Sequence, residues 1–164
     1  MPLNCNFFNQ VSMDNFQIDS LDRKILSIIK KNARTPFLEV GRECGVSGAA
    51  VHQRVQRLIR IGVISGAEFI LDPLKVGYQT CAYIGIFLEK ASMYHEVSKQ
   101  LELIPEITEC HYTTGNYSIF IKIYAKNNEH LKEILTEKLQ AISGISRTET
   151  FISLEESIKR QLPV

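Results

Sequence analysis

Between positions 47 and 60, Ser47, Ala49, His52, Gln53, Gln56, Arg57 and Arg60 form a set whose chemistry suits a nucleic acid. At roughly 100° per residue along a helix, Ala49, His52, Gln53, Gln56 and Arg60 gather on one side and Val51, Val55, Leu58 and Ile59 on the other. Glutamine and histidine can pair with base edges, and Arg57 or Arg60 can reach guanine or phosphate. A solvated surface helix carries similar residues, so the reading depends on what holds this helix.

Ser47 is a good N-cap, because its side-chain oxygen can accept from an orphan amide of the first turn. Phe37 to Cys44 reads as a short preceding helix, with Thr35 as cap and Pro36 at the first helical position. Gly45 can take the positive φ of a tight interhelical turn. Gly41 is small where the helices would cross, and Val40, Cys44, Val46 and Val51 are apolar between them. Upstream, Asp19 caps a helix running to about Lys31, with Asp22 at the positive end of its dipole and Lys30 and Lys31 at the negative end. Leu21, Ile25, Ile28 and Ile29 give it a buried stripe. The three segments together predict a helix-turn-helix. Ile61-Gly62 ends it, Ala67 to Leu71 suggests an extended piece leading out, and Asp72-Pro73 marks a turn.

Charge follows the same division. Residues 20 to 62 hold nine basic side chains against three acidic, so a chain of net charge +1 leaves −5 for the rest. A positive field confined to one segment is expected where that segment alone meets phosphates. With 164 residues and 45% hydrophobic content there is enough material for one domain or two small ones. No apolar run approaches the length of a membrane span and no secretory leader is present, so a cytoplasmic protein with no membrane partner is expected. Cys5, Cys44, Cys81 and Cys110 lie far apart, as do His52, His95, His111 and His130, which argues against structural zinc, a disulfide framework or any metal site. Cys44 and Cys81 fit better as small buried hydrophobes.

Beyond about Gln79 the pattern changes. Thr80 to Leu88, Ile107 to Thr114, Tyr117 to Ala125 and Ile145 to Leu154 are strand-like. Met93 to Leu103 and a segment from Asn128, as cap, to about Ala141 are helical. The order β-α-β-β-α-β is the ferredoxin-like arrangement. Leu101-x-x-Ile104-x-x-Ile107 and Leu139-x-x-Ile142-x-x-Ile145 echo each other at the helix-to-strand junctions. Two helices cover one face of such a sheet, yet Tyr83, Phe87, Phe120 and Tyr124 make the other face apolar as well. An exposed apolar face predicts an interface, here a homodimer whose two-fold suits paired half-sites on DNA.

Leu21-Asp22-Arg23-Lys24-Ile25-Leu26, Gly45-Val46-Ser47 and above all Glu109 to Ser118, with Thr113-Thr114-Gly115-Asn116-Tyr117-Ser118 at its end, resemble the Lrp/AsnC, or feast/famine, transcriptional regulators. The similarity runs from about Asp14 to Leu154, and Asn32-Ala33-Arg34-Thr35 resembles the asparagine-responsive members in particular. The resemblance implies a winged-type helix-turn-helix, an α+β ligand-sensing domain, dimers assembling into octamers of four dimers, and a small amino acid bound between dimers. By position, the ligand loop would be Thr114, Gly115, Asn116, Tyr117 and Ser118, with Gln140 facing it from the neighbouring dimer. Backbone amides around a glycine turn can hold a carboxylate, and Gln140, Ser118 or Asn116 can pair with a side-chain amide. Asn116 and Ser118 stand where acidic residues are common in the family, which favours a polar effector such as asparagine. Gly48 stands where proline is common, which would loosen the start of the recognition helix.

The expected plan is a tail over 1–15, the helix-turn-helix over 16–64, a linker strand and loop over 65–78, the sensing and oligomerisation domain over 79–156 and a tail over 157–164. Two alternatives stand beside the amino-acid-responsive regulator: an architectural DNA-binding protein indifferent to small molecules, and an enzyme of amino-acid metabolism. For the enzyme, no catalytic or cofactor fingerprint occurs, and Glu96, Glu106, Glu109, His95 and His111 do not converge by spacing.

Overall fold

Short-range signals build the first unit. In the computed structural model, which describes residues 18–164, Asp19 accepts from the Asp22 amide at 2.7 Å while Asp22 accepts from the Asp19 amide at 3.3 Å. This reciprocal capping box satisfies two orphan donors and opens helix α1, Ser20–Ile29. The helix stops two residues before the expected Lys31, with Lys30 as its cap. Ile25 and Leu26 are its buried apolar residues, whereas Leu21, Ile28 and Ile29 are half-buried, so the core stripe is rotated toward Leu26.

Helix α2, Phe37–Cys44, follows the expected bounds, but Pro36 holds the cap position in extended geometry. The Thr35 hydroxyl donates to the Asn32 carbonyl and leaves the helix amides alone. Gly45 closes the helix at φ 72°, the left-handed turn that glycine adopts without a steric penalty. Helix α3, Gly48–Arg60, begins on Ser47, whose Oγ accepts from the Ala50 amide at 3.1 Å. Ile25, Val40, Val51 and Val55 form the unit's core, edged by Phe37, Cys44, Val46 and Ile64. Ile59, expected on the buried side, is 46% exposed. Residues 65–72 hold no ladder, so the extended piece expected over Ala67 to Leu71 finds no strand partner among the described residues. The expected tail over 1–15 and Cys5 lie outside the described residues.

The chain divides between Phe69 and Ile70, and again after Lys159, with Arg160–Val164 grouped with the first unit. The second unit is a four-stranded antiparallel sheet in the order β2-β3-β1-β4, built from β1 Thr80–Leu88, helix α4 Tyr94–Glu102, β2 Ile107–Tyr112, β3 Ile119–Ala125, helix α5 Asn128–Glu133 and β4 Ile145–Ser153. That is the ferredoxin-like order. The β2–β3 connection is longer than expected, because the strands stop at Tyr112 and restart at Ile119. Asn127, one residue earlier than expected, caps α5 through the His130 amide at 2.8 Å. The helix then widens into a π-helical turn, Ile134–Leu139, before Gln140.

Ala82, Ile84, Ile86, Ile119, Ile121 and Ile123 form the inner face with Val97, Leu101, Ile134 and Leu139 from the helices. The sequence echo has a structural basis. The Ile104 amide donates to Leu101 O and Ile107 to Ile104 O, while Ile142 donates to Leu139 O and Ile145 to Ile142 O. Both helices therefore turn into their strands through one hydrogen-bonding scheme. Cys44, Cys81 and Cys110 are half-buried.

Glu106, 10% exposed, ties α5 and its π-turn to the start of β2: Lys138 Nζ lies 2.7 Å and His130 Nε2 3.3 Å from its Oε1. Burial pushes this carboxyl up, but the Lys138 hydrogen bond and the charges around it prevail and hold it below the usual glutamate range. A folded value below the unfolded one stabilises the fold above the unfolded value, about 4.3, and that stabilisation is lost as pH falls through the folded value. Thermal melts below about pH 4 are expected to show this loss, and Glu106→Gln is expected to flatten that part of the profile; an unchanged profile would contradict the ion pair's role.

Candidate nucleic-acid interface and ligand loop

The polar side of α3 faces solvent. Ala49, His52, Gln53, Gln56, Arg57 and Arg60 are exposed, as is the capping Ser47, while Val51, Val55 and Leu58 hold the opposite side in the core. His52 rests against the Phe37 ring with centroids 5.7 Å apart, which places the imidazole beside the start of α2. The helix crosses α2 closely. A Cβ at Gly48 would lie 3.1 Å from the Leu38 Cα, so glycine here permits backbone contact where a looser helix start had been expected.

Two of the arginines have internal partners that helical periodicity does not reveal. Arg54 Nη1 donates to Asp22 Oδ1 at 2.9 Å and to Asp19 Oδ2 at 2.6 Å, and Arg57 Nη1 donates to Asp22 Oδ2 at 3.0 Å. The Asp22 side chain is 0% exposed. The Arg54 guanidinium holds the Asp19 carboxyl below the usual aspartate range, and Asp19 together with Asp22 pushes Arg54 up. Arg57 keeps 44% of its side chain exposed. Asp19, Gln53, Arg54 and Arg57 line a polar depression of about 490 Å³.

In the second unit the loop from Thr113 to Ser118 is anchored at both ends. The Thr113 amide donates to Ser118 O at 3.0 Å, the Thr113 hydroxyl donates to Tyr117 O, and the Ser118 amide donates to Ile86 O at 2.9 Å. Thr114, Gly115 and Asn116 are exposed between these anchors. Gly115 does not adopt a positive φ and nothing crowds it, so the loop's shape does not demand glycine there. Gln140 is exposed at the end of the π-turn. Ile86 pairs with Ile119 and Leu88 with Ile145, so the loop and the 140–144 turn lie at the same end of the sheet, where β1 finishes.

Tyr117 turns its side chain onto the outer sheet face, away from the exposed part of the loop. Its hydroxyl donates to Glu149 Oε2 at 2.7 Å, which raises the phenol pKa, and its ring meets Phe87 edge-on at 5.2 Å. Gly85 makes this possible, since a Cβ there would fall on the Tyr117 ring. The same face stacks Tyr83 on Phe120 and carries a cation that the apolar pattern concealed. Lys122, 10% exposed, lies 5.7 Å from the Tyr83 ring centre and 5.5 Å from that of Tyr124, with Glu109 and Glu156 each at 3.5 Å. Burial pulls its pKa down, but Glu109 and the neighbouring phenols outweigh this and raise it, so Lys122 stays charged.

Two family models match this arrangement: the AsnC-type helix-turn-helix domain over residues 18–59 and the Lrp/AsnC ligand binding domain over residues 81–163. The regulatory protein AsnC of Haemophilus influenzae is 44% identical over 145 residues, covering 88% of this chain and 97% of that one. The chain belongs to the Lrp/AsnC family of transcriptional regulators.

Other Lrp/AsnC proteins extend the match to solved structures. Escherichia coli AsnC superposes with a TM-score of 0.87 at 40% identity, covering 91% of this chain and all of that one. A Neisseria meningitidis transcriptional regulator, solved as an L-Met complex, shares the fold with a TM-score of 0.84 at 19% identity, covering 88% of this chain and 94% of its own. The named relatives are transcriptional regulators, and an enzymatic role is not indicated. For an Lrp/AsnC chain, the helix-turn-helix implies a DNA partner and the sheet unit a small-molecule effector. The Asp22 clamp, Gly85 beneath Tyr117 and the Glu106 tie had escaped sequence reasoning; only the Asp-x-x-Asp spacing of Asp19 and Asp22 offered a signal.

Proposed function

We propose that this chain is a cytoplasmic, amino-acid-responsive transcriptional regulator that binds promoter DNA as a homo-oligomer. The observation carrying this reading is the solvent-facing polar side of α3, with His52, Gln53, Gln56, Arg57 and Arg60 exposed over a packed three-helix core. Ser47 and Ala49 sit at its leading end and complete the DNA-contacting set. Two-fold pairing through the aromatic outer sheet faces gives dimers that present two such helices to successive half-sites, and four dimers form an octamer.

The effector is a small polar amino acid such as asparagine, taken up at Thr114, Gly115, Asn116, Tyr117 and Ser118 with Gln140 of a neighbouring dimer. Tyr117 takes part through its backbone, since its side chain is engaged with Glu149. The amide of exposed Asn116 and the hydroxyl of half-buried Ser118 support a neutral hydrogen-bonding ligand. The amino acid binds one assembly state more tightly and shifts the population of states, which changes the spacing of the α3 helices on DNA.

Calorimetric titration with each of the twenty amino acids, paired with gel shifts, tests this. Saturable heat from asparagine or another polar amino acid, with a matching change in DNA affinity, is expected. Retained DNA binding with no heat from any amino acid would remove the sensing role.

A further inference from the structure

We propose that Asp22 is a positioning residue for DNA binding: it fixes the Arg54 and Arg57 guanidinium groups of α3 in the orientation that meets a phosphate. The inference rests on the reading of α3 as the DNA-contacting helix. Its basis is that one fully buried carboxylate receives both arginines, one on each oxygen, at 2.9 and 3.0 Å. A buried carboxylate must be compensated by charge and hydrogen bonds, so the two guanidinium groups are held there for as long as the domain is folded. They lie three residues apart in α3, on neighbouring turns, and Asp19 adds a second carboxylate to Arg54.

The consequence is preorganisation. An arginine free in solvent loses its rotamer freedom when it binds a phosphate, whereas a planar fork already held on one edge has less freedom to lose. Arg57 is held through Nη1 by Asp22 yet remains 44% exposed beside Gln53, where the depression of about 490 Å³ opens. A carboxylate behind a phosphate-binding arginine also has an opposing effect, because it cancels positive charge. The two effects predict opposite outcomes when Asp22 loses its charge but keeps its shape.

Asp22→Asn and Arg57→Lys in the intact chain separate them. Affinity for a duplex selected from a random pool is measured at stepped salt, with active protein counted by stoichiometric titration and folding checked by circular dichroism. If charge cancellation dominates, Asp22→Asn tightens binding and steepens the salt dependence by about one counterion. Positioning predicts that Asp22→Asn weakens binding about tenfold at matched salt, and that Arg57→Lys, which keeps the charge and loses the fork, does the same. It also predicts that the double variant is no weaker than either single one. Equal or tighter binding by Asp22→Asn, or single losses that add in the double variant, overturns the inference while leaving the DNA-binding reading intact. Should Asp22→Asn not fold, Arg57→Lys decides alone, and parent-like affinity overturns the proposal. A parent chain that binds no duplex overturns both.

Discussion

Gly41→Val is expected to unfold the helix-turn-helix and abolish DNA binding while the sheet unit keeps its fold. A Cβ at Gly41 would sit 2.6 Å from the Val46 carbonyl oxygen and 3.1 Å from both the Gly48 amide nitrogen and the Ser47 carbonyl carbon. All three are backbone atoms, so no side chain can swing aside. Overpacking a tight contact costs about 1–3 kcal/mol, and valine adds two methyl groups beyond the Cβ that already clashes. A core built on Ile25, Val40, Val51 and Val55 has little stability in reserve. The sheet unit has a separate core around Ile84, Ile121 and Ile134. Circular dichroism should show a loss of helical signal at 25 °C, with the strand signal and its melting transition retained. A parent-like melt with DNA affinity preserved would contradict the crossing geometry.

Gly85→Val should weaken both the proposed dimer and the proposed effector response while sparing the reader. The Cβ would lie 2.6 Å from Tyr117 Cε1 and nearer still to Cγ and Cδ1, so the ring must leave the strand it covers. Its departure breaks the Tyr117–Glu149 hydrogen bond and the edge contact with Phe87, and it removes the carbonyl partner of the Thr113 hydroxyl from its place. The loop thus loses an anchor and the outer face loses the ring that levels it. A cost of about 1–3 kcal/mol is expected in the sheet unit. Sedimentation should shift toward smaller species at micromolar concentration, and amino-acid heats should fall. The Tyr117 phenol should also return toward its ordinary pKa, because the Glu149 carboxylate that raises it is lost. Unchanged assembly and unchanged heats would show that Tyr117 has no part in either.

What was legible in the sequence was mostly local. Ser47 as a cap, Gly45 as a left-handed turn and the apolar side of α3 depend on neighbours within one or two turns, so composition and spacing reveal them. The ferredoxin-like order was legible for the same reason, strand by strand. Contacts joining distant segments were not. Asp22 lies 32 residues from Arg54 and 35 from Arg57, and a helical wheel cannot distinguish an arginine that meets DNA from one that meets a buried acid. Tyr117 reaches Glu149 across 32 residues only because the β1–β4 register sets Glu149 opposite Gly85. Lys122 was hidden within the run Ile119–Ala125, where its stem fits the apolar pattern and its ammonium finds Glu109 and Glu156. Periodicity places Ile59 on the core side, but near the end of α3 it is exposed. The π-turn before Gln140 keeps an ordinary helical composition and leaves no trace in residue spacing.

Fluorescence anisotropy of the intact chain on a labelled duplex selected from a random pool, repeated at stepped salt, is the most direct test of DNA reading by the exposed side of α3. Tight binding at low salt is predicted, with log affinity falling linearly as log salt rises, and simultaneous alanine substitution of His52, Gln53 and Gln56 is predicted to erase the preference for the selected sequence. Absence of affinity for any duplex at low salt, or a triple variant that keeps the parent's preference, would contradict it.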